Sequence, residues 1–131
     1  KIALGAILMC NGKPVAYETR KLTPAETRYD TGDREMLAVV HAGDEVIVLE
    51  PCYDCYVPNV EMAGGVVVRV PLTPGTFKPD FDKIQAAITS KTRAILINSP
   101  HNPSGMVWRH EDMLKLQDLM IQFHSLVDPP L

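Results

Sequence analysis

At 131 residues, the chain is long enough for one domain with a sizeable core and short for two. Apolar residues make up 46% and charged residues 22%, and the net charge of −3 supplies no basic field for phosphate contacts. Nucleic acid is therefore not an expected partner, nor is a membrane, because no apolar run approaches the roughly 20 residues of a span.

The chain opens with two expected strands, at 2–10 and 13–21, meeting at Asn11-Gly12, the strongest short hairpin signal. Tyr17 reads as a cross-strand packing residue. A helix is expected at 32–42, with Met36, Leu37, Val40 and Ala42 on its apolar face. A strand at 45–50, a helix at 53–63 and a strand at 65–71 follow. Pro71, Pro74 and Pro79 mark an extended connection into a helix at 80–89, capped by Asp80, with Phe81, Ile84 and Ile88 facing inward. The next strand, at 93–98, ends in a polar turn. The last helix, at 109–124, puts Met113, Leu116, Met120 and Phe123 on one stripe, with Glu111 and Asp112 suited to its dipole. Residues 125–131, ending Asp-Pro-Pro-Leu, read as a frayed tail.

The runs Val46–Leu49, Val66–Val70 and Ala94–Ile97 are almost continuously apolar and separated by helical segments, as in parallel strands covered on both faces. The expected fold class is α/β, a single domain spanning 1–131. Its sheet is mixed, combining an N-terminal antiparallel hairpin with three parallel strands joined by helical crossovers.

Residues 94–105, Ala-Ile-Leu-Ile-Asn-Ser-Pro-His-Asn-Pro-Ser-Gly, are the most informative stretch. A buried strand feeds a polar loop at its carboxyl end, where α/β proteins hold ligands. The pattern N-x-P-x-N-P-x-G resembles the cofactor loop of fold-type I pyridoxal phosphate aminotransferases. Four further segments resemble the kynurenine and methionine aminotransferase branch: Gly43-Asp44-Glu45-Val46-Ile47-Val48, Pro51-Cys52-Tyr53-Asp54-Cys55-Tyr56, Ala63-Gly64-Gly65 and Thr92-Arg93-Ala94-Ile95-Leu96. The resemblance covers residues 43–124 and implies a large-domain fragment. It places Tyr53 as the ring stacked on the pyridine, Asn102 as donor to the phenolic oxygen, and Asn98 as a nearby substrate-side amide. It also implies groups that these residues do not match: the Schiff-base lysine, the aspartate on the pyridinium nitrogen, the phosphate turn and the substrate arginine. No cofactor and no transamination are expected, and any pyridoxal phosphate site is vestigial.

Residues 1–42 resemble a different family, the RNase H domain of long-terminal-repeat retroelements. The similarity runs through Leu4-Gly5-Ala6-Ile7-Leu8-Met9, Gly12–Leu22, Thr23-Pro24-Ala25-Glu26, Tyr29-Asp30-Thr31-Gly32 and Asp33–Ala42. Glu35 matches one carboxylate of that family's metal cluster, but two-metal hydrolysis needs several. The chain begins within a strand-like segment, ahead of which the family places another of those carboxylates. Nuclease activity is not expected. The two resemblances meet near Ala42-Gly43, as in a chimera.

Cys52-Tyr53-Asp54-Cys55 is a C-x-x-C at a helix start, a setting that can activate a thiol, and this makes a redox protein a third reading. His41, His101, His110 and His124 lack metal-ligand spacing, and Trp108 and Val107 read as core or interface. Three cysteines, an odd number, argue against a secreted disulfide framework, so a cytoplasmic setting, or recombinant expression alone, is expected. The leading expectation is a folded chimeric domain without an intact active site. The alternative is a residual non-covalent binder of pyridoxal phosphate or a similar phosphate-bearing aromatic. Sheet edges on both sides of the junction point to a homodimer, through the hairpin edge or the Met113–Phe123 stripe.

Overall fold

The computed structural model describes residues 3–10, 13–21 and 40–127, with side chains placed over residues 40–123. Five strands run in chain order as β1 (Ala3–Cys10), β2 (Lys13–Lys21), β3 (Glu45–Glu50), β4 (Val66–Pro71) and β5 (Thr92–Ser99). Among the described residues, three helices follow the same order: α1 (Tyr56–Met62), α2 (Phe81–Ala87) and α3 (His110–Val127). The strands form one sheet in the order β2-β1-β5-β3-β4. The pairs β3–β4 and β3–β5 are parallel, with Leu49 opposite Val70 and Val48 opposite Leu96. Strand β1 lies antiparallel to both β2 and β5, and Gly5 stands opposite Ile97. The Asn11-Gly12 connection lies outside the described residues.

Successive side chains on a strand point to opposite faces, and β3 is buried on both. Ile47 and Leu49 join Ile95 and Ile97 on one face, where Leu72, Ile84, Trp108 and Leu116 cover them. Val46 and Val48 face the other way, onto Val40 and Val60. Each fully buried aliphatic side chain contributes on the order of 1.5–3 kcal/mol. This two-sided burial is why β3 reads as an unbroken apolar run rather than an alternating one.

The helices follow local signals. Asp80 is extended and its carboxylate accepts from the Lys83 N–H at 3.2 Å, capping α2, so that Ile84 is fully buried and Phe81 and Ile88 pack beside it. Pro58 sits in the first turn of α1, where a missing N–H costs nothing. Leu116 anchors α3 at 2% exposure, flanked by Met113 and Met120.

Several expectations need correction. Helix α1 starts at Tyr56, three residues later than expected, because Tyr53-Asp54-Cys55 forms a turn and Cys55 makes no side-chain cap. Residues 40–42 are not helical: Val40 is buried against Val60 without helical structure, and Ala42-Gly43 turns into β3. The rest of the expected helix at 32–42, with Met36, Leu37 and Glu35, lies outside the described residues. Helix α3 continues through 125–127 rather than fraying there. Met113, Leu116 and Met120 pack into the core, so this stripe is not an open dimer surface. The backbone between α1 and β4 is tight. Gly64 has φ +81°, and a Cβ on Gly65 would lie 2.6 Å from the Val40 Cγ1.

Candidate cofactor site

Parallel strands β3 and β5 are neighbours, so their carboxyl ends open on the same edge of the sheet. The loop after β3 carries Cys52, Tyr53 and Cys55, and the end of β5 and its loop carry Asn98, His101, Asn102 and Ser104. Topology alone thus gathers the segments that the sequence singled out.

Tyr53 is 39% exposed, and its ring meets Tyr56 edge-on at 5.9 Å and 77°. Tyr56 is more deeply set, and burial pushes its phenol up to about 12, so it stays protonated and a hydrogen-bond donor at neutral pH. Asn102 is exposed in the turn after β5. Asn98 is the opposite case, 4% exposed, with its Nδ2 donating to the Pro100 carbonyl at 3.2 Å. Its Oδ1 is buried without a hydrogen-bond partner among the described residues. A buried amide oxygen without a donor is costly.

His101 is a site residue that sequence spacing missed. It is 3% exposed, yet it stands in a polar turn between two prolines, where no periodic signal marks it. Its Nδ1 lies 2.7 Å from the Ser104 Oγ. Burial holds the imidazole below its ordinary value, with the Leu49 backbone opposing. The loop also closes on itself. The His101 N–H donates to the Met106 carbonyl at 2.7 Å, the Gly105 N–H to the His101 carbonyl at 2.6 Å, and the Trp108 N–H to the Ser99 Oγ at 3.1 Å. Gly105 supplies the φ of +75° that this turn needs. Trp108 is core, as expected, whereas Val107 is 59% exposed.

The redox reading loses ground here. Burial and the neighbouring Glu50 push the Cys52 thiol up, against the lowered value that a reactive thiolate requires. Glu50 itself is held by Arg69 at 2.6 Å across the β3–β4 pair. No group of three or more metal-ligating side chains occurs among the described residues.

Residues 31–128 match the family model for aminotransferase class I and II. The chain belongs to this family. Residues 1–47 match the RNase H-like domain found in reverse transcriptase, so the two matches overlap across the expected Ala42-Gly43 junction. The aminotransferase relatives include a probable kynurenine–oxoglutarate transaminase of Saccharomyces cerevisiae, 41% identical over 103 residues, covering 70% of this chain and 23% of the yeast protein. Methionine aminotransferase of Escherichia coli is 42% identical over 79 residues, 60% of this chain and 20% of that protein. Among solved structures, Thermus thermophilus aspartate aminotransferase with maleate superposes with a TM-score of 0.66 at 40% identity, over 70% of this chain and 24% of that one. The kynurenine and methionine branch expected from the sequence is therefore present among the relatives, and the fold of the matched segment is aminotransferase-like. The chain spans less than a quarter of the length of the yeast enzyme. No helix among the described residues is long and apolar enough to cross a membrane.

The three residues that the sequence singled out lie at the carboxyl edge of β3 and β5. Tyr53 is a 39% exposed aromatic ring, Asn102 an exposed amide, and Asn98 a buried amide whose Oδ1 has no hydrogen-bond partner among the described residues.

Proposed function

We propose that this 131-residue chain is a folded chimera without catalytic activity of its own. In this reading an aminotransferase large-domain fragment is joined to an RNase H-like segment whose strands β1 and β2 form an antiparallel pair on the sheet. The fragment keeps one wall of a pyridoxal phosphate site in Tyr53, Asn98 and Asn102 and holds no cofactor as a resident group. Pyridoxal phosphate supplies an electron sink only when a lysine and a partner for its ring nitrogen are in place.

The observation that carries this reading is where the lysines sit. None of the described lysines is in β3, in β5 or in the loops leaving their carboxyl ends. Lys91 precedes β5 at its amino end, Lys83 pairs with Asp80 at 3.2 Å, and Lys115 lies over the Phe81 ring at 5.6 Å from its centroid. Incubation with pyridoxal phosphate, borohydride reduction and peptide mass mapping should therefore find no lysine labelled stoichiometrically. Amino and 2-oxo acid pairs should not turn over. One stoichiometric lysine with turnover would sink the reading.

The unpartnered Asn98 Oδ1 favours a second reading, non-covalent binding of pyridoxal phosphate or a similar phosphate-bearing aromatic. A saturable absorbance change on titration supports it, and a flat titration leaves the silent chimera. As partner we propose a second copy of the chain, paired through a sheet edge.

A further inference from the structure

We propose that β2, a strand outside the aminotransferase match, supplies a phosphate-binding position, Arg20 with Lys21 beside it, to the sheet edge that carries Asn98. For the aromatic part of the ligand this rests on the second reading above; for the phosphate it rests on strand register.

Two rows of residues cross three strands at that edge. Leu4 of β1 stands opposite Asn98 of β5 on one side and opposite Arg20 of β2 on the other. Ala3 likewise stands between Ser99 and Lys21. Directly opposed residues share a face of a sheet, so the Arg20 and Asn98 positions lie on one face. It is the face of Leu96, two residues earlier in β5, which packs with Cys52 and Tyr56 on either side of Tyr53 in the chain. Neighbouring strands lie about 4.8 Å apart, so the Arg20 and Asn98 backbones are roughly 10 Å apart. A small phosphate ester seated at Asn98 and an arginine two strands away cover that span between them.

The chemistry of the two ends is complementary to one kind of ligand. A guanidinium is always charged, and its planar fork donates two parallel N–H bonds to a phosphate. Neither row contains a carboxylate, and Glu18 stands two residues down β2, opposite Ala6. Glu50, at the end of β3, is engaged by Arg69 at 2.6 Å. At the other end, the Asn98 Oδ1 is a buried acceptor without a donor among the described residues. The ligand is therefore a phosphate ester that also carries an O–H or N–H donor.

The test titrates the full chain with pyridoxamine phosphate, which forms no Schiff base with lysine, and with pyridoxamine. The phosphate ester should bind about tenfold tighter, the scale of one charge-assisted contact. Arg20→Gln should erase that preference and leave pyridoxamine binding as it was. Lys21→Gln should narrow it, and Lys13→Gln, opposite Cys10 at the far end of β2, should not change it. A preference kept in Arg20→Gln overturns the site.

A second probe, inorganic phosphate, needs no variant. Backbone amide NMR of the unaltered chain should show the signals of residues 19–21 and 98–102 shifting together as phosphate is added. Shifts that omit either segment overturn the site. Joint shifts with flat titrations of both aromatic compounds leave the phosphate site standing and remove the aromatic reading. Equal binding of the two aromatic compounds leaves the aromatic reading standing and removes the site.

Discussion

Gly65 is the residue where one added methyl group has the least room. A Cβ there would meet the Val40 Cγ1 at 2.6 Å, the Val60 Cγ1 at 3.0 Å and the Val60 carbonyl at 3.2 Å. Two of these atoms belong to buried valines and the third to backbone, so none can retreat cheaply. Gly65→Ala should lower stability by about 1–3 kcal/mol, the usual cost of overpacking, read as a shift in denaturant midpoint at unchanged slope. His101 makes a second residue-scale prediction. Its folded value lies below the ordinary 6.5 because burial disfavours the charged ring. Above 6.5 both folded and unfolded chains hold it neutral, and stability is insensitive to it. As pH falls below 6.5 the unfolded chain takes up the proton first, so stability is lost down to the folded value. Denaturant midpoints at stepped pH should fall across that window, and His101→Gln should flatten the fall.

At the scale of elements, α3 is held by packing and α2 also by its cap. Leu116→Ala removes the fully buried centre of α3 and should cost about 2–5 kcal/mol in chemical denaturation. Asp80→Ala should cost less, and Asp80→Asn, which keeps an acceptor for the Lys83 N–H, less again. The strands were the most legible part of the sequence. Glu45–Glu50 ended where expected and Thr92–Ser99 within a residue at either end, because burial on both faces leaves a continuous apolar run bounded by polar residues. Asp80 was equally plain, since a carboxylate before an apolar helical stripe has one physical use. The start of α1 was not legible, because Tyr53-Asp54-Cys55 has helix-compatible residues but turns instead. His101 escaped for a related reason. Its burial is set by the tertiary fold, and a pattern read over neighbouring residues carries no trace of that. Tyr53, Asn98 and Asn102 were named from a family motif; spacing alone would have placed them in loops and assigned no role.

For the whole molecule, the two sheet edges are unlike. Strand β4 has six residues, carries Arg69 and ends in Pro71, features that discourage pairing. Strand β2 has nine residues. A homodimer formed through β2 at micromolar concentration is expected. Light scattering should give twice the 14.5 kDa chain mass, and a monomer mass across a hundredfold dilution would refute it. The antiparallel contact of β1 with β5 has a further consequence, for synthesis. Ala6 pairs with Leu96, ninety residues later in the chain (96 − 6). At ribosomal rates of about 5–20 residues per second, β1 is made roughly 5–20 seconds before its inner neighbour exists. During that interval its inner edge has no partner from the aminotransferase segment, and the nascent chain is open to chaperones and to pairing with other nascent chains. Slowing elongation lengthens this exposure, so the yield of folded protein should be set by the speed of translation as much as by the stability of the finished sheet.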